Sequence, residues 1–244
     1  MTASASAAAP PRSRLATTLL VTNAAVAWIG VAISLTLAVT GNNKHLDPAN
    51  PTQIGNLASG VETPLERFFD WLSYFTIWSN VLVAVVVTVL VTRPVLFART
   101  DRVGTVWRAL RLDSVLMIVV TGIVYNLLLA KGGLTGWPLV SNTFVHVITP
   151  ILTTLVWLIA GPRGLMSHRV IFGALVVPVV YVVWALVRGA AIGAYPYPFL
   201  DVAVKGYPYV LAFVCGLIVF AVLLAYVLWA VDTGLGRLTR PRAR

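Results

Sequence analysis

Cysteine is almost missing from this chain. Cys215 stands alone among 244 residues, so no intramolecular disulfide can form. There is no Cys-x-x-Cys pair, and His45, His146 and His168 lie far apart, which argues against a structural zinc site. Charge is scarce as well: 11% of the residues are charged and 59% are hydrophobic, too little polar surface for a soluble domain of this size. Acidic residues are the rarer sign, eight against 18 Lys and Arg, for a net charge of +10. Those basic residues sit in short segments beside long apolar runs. That is the pattern of an orientation signal at a membrane surface, not of a nucleic-acid-binding face. A His-Glu-x-x-His sequence is absent, which excludes the usual membrane metalloprotease. No Gly-x-Ser-Gly lies in an apolar run, so a rhomboid-type serine protease fits poorly.

What is present is hydrocarbon length. A helical span needs ~20 predominantly apolar residues. Six segments qualify, 15–40, 68–92, 112–131, 140–160, 169–188 and 208–231. They predict an all-α, six-span membrane bundle within 15–231, flanked by an N-terminal tail, 1–14, and a basic C-terminal tail, 232–244. The first apolar run is about twice the ~7–15 residues of a signal peptide, so it is taken as a true span. With the N-terminus placed in the cytoplasm, 13 Lys and Arg fall on the cytoplasmic side and five on the other, which predicts cytoplasmic termini. Trp71 and Trp137 are expected at the outer interface, and Trp107 and Trp229 at the inner one.

The few polar residues inside these runs are aligned. Residues three or four apart share a helix face. Asp70, Ser73, Thr76 and Asn80 make one stripe on span two. Asn142, His146, Thr149 and Thr153 make another on span four. Thr121, Tyr125 and Asn126 belong to span three, and Asn23, Gly30 and Ser34 to span one. At 1.5 Å per residue Thr76 lies ~12 Å below the outer surface, His146 ~10 Å, and Tyr125 and Asn126 ~8 Å. Polar faces at one depth in lipid turn toward each other.

Each residue also has a plain structural use. A membrane threonine commonly bonds a carbonyl one turn back. Asn80, Asn126 and Asn142 can serve as interhelical glue. His146, however, is the one histidine at membrane depth, and an intramembrane ionisable group is a functional candidate. Asp70 and Asp113 are expected near span ends, and Arg188 is expected to snorkel outward. Cys215 reads as a small hydrophobe in mid-span.

A threonine hydroxyl attacks an ester only when a base takes its proton, and a neutral imidazole suits that task. Thr76 and His146 are therefore candidate nucleophile and base. Asn80 and Asn126 are candidate oxyanion donors, and Tyr125, Ser73, Asn142 and Thr149 candidate polar groups of the cavity. The loop "YPYPFLD" is expected to cover the outer end through Tyr195, Tyr197 and Asp201. No cofactor or metal is called for, and nothing points to nucleic acid. The partners expected are the bilayer and a lipid or long-chain ester; oligomeric state is not set by the sequence. A non-enzymatic scaffold or small transporter is the rival. It would leave Thr76 bonded to its own helix.

The segments "FFDWLSYFTIWSN", "SNTFVHVITPIL" and "YPYPFLDVAVKGYPYV" resemble the androgen-induced-gene family of six-span membrane proteins, its bacterial branch above all. The resemblance extends over nearly the whole chain. It implies a threonine hydrolase of the kind that cleaves fatty acid esters of hydroxy fatty acids, with Thr76 and His146 as the catalytic pair.

Overall fold

The computed structural model describes residues 13–42, 53–54, 63–130 and 133–239. The stretch 43–52, with His45, lies outside them, as does Lys131. The described chain is helical. Six helical segments are long and apolar enough to cross a membrane: Arg14–Val39, Phe75–Thr92, Arg102–Leu129, Gly136–Ala160, His168–Ile192 and Val202–Leu238. Their outward faces are apolar, with Leu127, Ile159, Val187 and Leu223 more than half exposed. Such a surface suits a hydrocarbon solvent, and the chain is a multi-pass membrane protein.

The first span is α1, Arg14–Val39, started by Ser13, whose hydroxyl accepts from the Ala16 amide at 3.1 Å. It packs on α3, Phe75–Thr92, and α7, Thr149–Ala160. Lipid tails are as apolar as leucine, so burial against another helix gains little; close packing and hydrogen bonds hold these helices together. Leu20, Ala27, Val83, Ala84 and Val87 form the dry seam. The stripe predicted on span one is used along it. Asn23 accepts from the Thr153 hydroxyl at 2.9 Å, Gly30 lies against Phe144, and Ser34 accepts from the Trp71 indole at 2.9 Å. Bonds of this type contribute ~0.6 kcal/mol each on average in a membrane. Trp71 is thus buried within the bundle, not placed in the outer aromatic belt.

Span two differs from expectation in a way that matters. It is two helices, α2, Pro64–Leu72, and α3, broken at Ser73 and Tyr74. Thr63 and Glu66 form a reciprocal cap at the start of α2, with Pro64 in its first turn. At its far end, carbonyls left without a helical partner are taken by distant side chains: Trp78 donates to Leu72 at 2.8 Å and Tyr181 to Ser73 at 3.0 Å. Asp70 and Ser73 therefore leave the stripe. Both receive the Arg188 guanidinium, so Arg188 is paired inside the bundle and does not snorkel.

At the opposite end, α4, Val95–Ala98, leads to α5, Arg102–Val124. Asp101 caps α5 through the Gly104 amide at 3.0 Å and pairs with Arg99. The Arg99 pair, then the cap, holds the Asp101 carboxyl well below the usual carboxylate range. Asp113, expected near an interface, is wholly buried in α5. After α7 come α8, His168–Gly173, and α9, Val176–Ile192. The last helix, α10, Val202–Thr239, is kinked at Gly206, where φ is +76°. It continues past the expected boundary at 231, and Asp232 accepts from the Gly164 amide at 2.8 Å.

Candidate active site

Two helices loosen where the candidate residues lie. The end of α5 widens into a π turn over Tyr125–Leu129. Between α6, Gly136–Thr143, and α7 there is a second, Phe144–Ile148, which carries His146. Such turns insert a residue and re-aim side chains, frequently at functional sites. Pro150 makes the second one consequential. The Thr149 amide bonds Phe144, and Pro150 has no N–H. The carbonyls of Val145 and His146 thereby lose their ordinary helical partners.

The two asparagines fill those vacancies. Asn80 donates to Val145 at 3.0 Å and to Thr76 at 2.8 Å. Asn126 donates to His146 at 3.3 Å and to Gly122 at 2.8 Å. Both NH2 groups are thus committed to backbone carbonyls, and the expectation that they serve an oxyanion is corrected. They fix the π turn against α3 and α5 instead. Gly122 permits this closeness; a Cβ there would lie 3.0 Å from Pro150.

Thr76 sits in the first turn of α3, just past the break at Tyr74. Its Oγ1 lies 3.0 Å from Nε2 of His146. The other ring nitrogen, Nδ1, is 3.2 Å from the Asn142 carbonyl. A carbonyl only accepts, so Nδ1 carries the proton and Nε2 is left to accept from the Thr76 hydroxyl. The Tyr125 ring stacks on the imidazole with centroids 3.7 Å apart and planes 16° apart, which fixes the ring's orientation. Asn142 thus contributes through its backbone.

A residue whose role the sequence did not reveal completes the group. The α3 N-terminus has no side-chain cap of its own. The Tyr197 phenol oxygen takes that place, accepting from the Thr76 amide at 3.4 Å and facing the Phe75 amide and the Thr76 hydroxyl as well. Burial is the largest influence on this phenol and pushes it above its ordinary pKa, so it keeps its proton. An oxygen that accepts from backbone amides donates more strongly in turn.

Thr76 and Tyr197 lie on the wall of a cavity with about 880 Å³ of atom-free space, some of it open. Most of that wall is apolar, from α5, α9 and α10. The remaining candidates are elsewhere. Ser73 is not on the cavity wall; it donates to Phe69 at 2.8 Å and accepts from Arg188 at 3.0 Å. Thr149 is fully buried and is not on the cavity wall. Tyr195 is not on the wall either; its ring lies on Gly189, and its carbonyl receives the Ile54 amide at 3.0 Å. Asp201 is a helix cap, accepting from the Val204 amide at 3.1 Å, and is not on the cavity wall. Of the three residues expected to cover the cavity, only Tyr197 lies on its wall. Among the described residues, no three His, Cys, Asp or Glu side chains come together as a metal site.

The chain matches no family model, no curated protein and no solved structure.

Proposed function

We propose that this protein is a lipid ester hydrolase with Thr76 as nucleophile and His146 as base. The observation that carries the reading is the 3.0 Å approach of Thr76 Oγ1 to a nitrogen of His146, beside an apolar cavity. The rival scaffold needs Thr76 bonded to its own helix. Thr76 stands in the first turn of α3, and its Oγ1 meets His146 instead. The resemblance to the androgen-induced-gene family points the same way, toward esters of long-chain and hydroxylated fatty acids.

The steps follow from the geometry. Thr76 Oγ1 attacks the ester carbonyl carbon while its proton passes to Nε2 of His146. The carbonyl π pair moves to oxygen, and that oxyanion meets the Tyr197 hydroxyl at the N-terminus of α3. Collapse breaks the carbon–oxygen bond to the alcohol, whose oxygen takes the proton from Nε2. An acyl-threonine remains. Water then attacks it, giving a proton to Nε2, and the second collapse returns that proton to Thr76 with release of the fatty acid. Nδ1 stays protonated on the Asn142 carbonyl throughout.

The charge asymmetry further supports cytoplasmic termini in the cell membrane, with the dyad in the outer half of the bilayer. A reporter fused at the C-terminus should then be active only in its cytoplasmic form, and an exterior signal overturns the orientation. For the activity, the purified protein should hydrolyse a long-chain p-nitrophenyl ester and label with a fluorophosphonate. Both should vanish in Thr76→Ala. Parental labelling in that variant refutes the reading.

A further inference from the structure

The cavity has two unlike ends. Wall side chains that carry oxygen, namely Thr76, Thr121, Tyr125, Tyr181 and Tyr197, gather toward the dyad. The far end, among α5, α9 and α10, is lined by Leu116, Leu175 and Ala221. Leu116 and Ala221 are buried there in a second dry cluster with Trp157 and Ile171. Along α5 the cavity wall runs from Leu129 to Leu116, and from the level of Tyr125, beside His146, to that of Leu116 is ~14 Å at 1.5 Å per residue.

His146 is not on this wall. It meets that wall from behind, stacking on the Tyr125 ring and bonding Thr76 Oγ1. That fixes the direction of an ester. Its leaving oxygen has to meet Nε2 and its carbonyl carbon has to meet Oγ1, so the alcohol half extends on the His146 side. The acyl half is left with the cavity. We propose that the cavity is an acyl-chain ruler. It takes one unbranched acyl chain, tail first, and Leu116, Leu175 and Ala221 set the longest chain accepted, whereas the alcohol half stays outside and is selected loosely. This inference rests on the ester-hydrolase reading.

A zigzag of ~1.5 Å carbon–carbon bonds advances ~1.25 Å per carbon, so the ~14 Å depth holds ~11 carbons beyond the carbonyl. The substrate arrives from hydrocarbon, and a methylene moved from lipid tails to an apolar wall gains little. Selection is therefore by exclusion: nearly level up to the floor and a sharp drop beyond it.

The test uses p-nitrophenyl esters of 4–18 carbons on the purified full-length protein in one detergent. In parallel, the melting temperature is measured with the free fatty acids of 8–18 carbons. Expected is kcat/KM nearly level to ~12 carbons and then a fall of about tenfold or more, the scale of overpacking a closed wall. The acids should raise the melting temperature up to the same length. Ala221→Phe, and the milder Ala221→Leu should the first not fold, should move both breaks to shorter chains, by ~3 carbons for Phe. Turnover without a break, or with a break that neither folded variant moves, overturns the ruler and leaves the hydrolase. A break in acid binding that shifts with Ala221 but no turnover by the parent keeps the acyl cavity and overturns the hydrolase. Neither turnover nor binding overturns both.

Discussion

Replacing Tyr197 with phenylalanine removes one oxygen and little else. The ring keeps its stack on Phe199, with centroids 5.1 Å apart, and its edge contact with Tyr74 at 5.8 Å. The structural cost is the cap lost at the start of α3, ~1 kcal/mol by analogy with side-chain caps. The kinetic cost is larger. Removing one donor from an oxyanion site costs ~10²–10³ in kcat, or about 2.7–4 kcal/mol of transition-state stabilisation. The charge it meets exists only in the transition state, so KM should change little while kcat and kcat/KM fall together. Burial raises the Tyr197 pKa, so the hydroxyl remains a donor at every pH below its ordinary value of ~10, and no loss from its ionisation is expected there. The assay is the steady-state hydrolysis of a p-nitrophenyl ester, with fluorophosphonate labelling rates and a melting curve as controls. A Tyr197→Phe protein that folds and turns over at the parental kcat refutes the assignment. So does a variant that loses only KM.

Three further outcomes are expected. Thr76→Ala and His146→Ala should each cost about as much kcat as the double variant, because the pair acts as a unit, while Thr76→Ser retains measurable turnover; additive losses in the cycle contradict the dyad. Gly189→Ala would put a Cβ 2.3 Å from the Tyr195 ring, and should lower stability by ~1–3 kcal/mol, read as a drop in melting temperature. Asp101 has a lowered carboxyl pKa, so the stability it contributes is complete above the ordinary ~3.9 and is lost as pH falls through the folded-state value. A pH series of melting temperatures should therefore flatten at its acid end in Asp101→Asn, less so at high salt.

Composition and apolar length by themselves determined a six-span helical bundle, because spanning hydrocarbon demands runs of about 20 apolar residues and leaves no other backbone solution but a closed barrel. The same sequence brought Thr76 and His146 to one depth, since rise per residue is fixed along a helix. It also placed Asn23, Gly30 and Ser34 on a contacting face, where the structure has them. Periodicity assumes an unbroken helix, and there it misled. The Ser73–Tyr74 break is held open by Trp78 bonding the last carbonyl of α2, at Leu72, and Tyr181 bonding that of Ser73, and Tyr181 comes from another span. That break puts Thr76 in a first turn, away from back-bonding and with its own amide turned to Tyr197 rather than to the helix. The proline at 150 was legible, but not that the carbonyls left free by it and by the π turn before it would claim Asn126 and Asn80. Tyr197 was legible as a loop aromatic covering the cavity, and it does lie on the cavity wall, but its contact with Thr76 was not legible. Its place at the Thr76 amide is set by how the Pro-rich turn between α9 and α10 folds down onto α3, a contact across 121 residues of chain that tertiary packing alone decides.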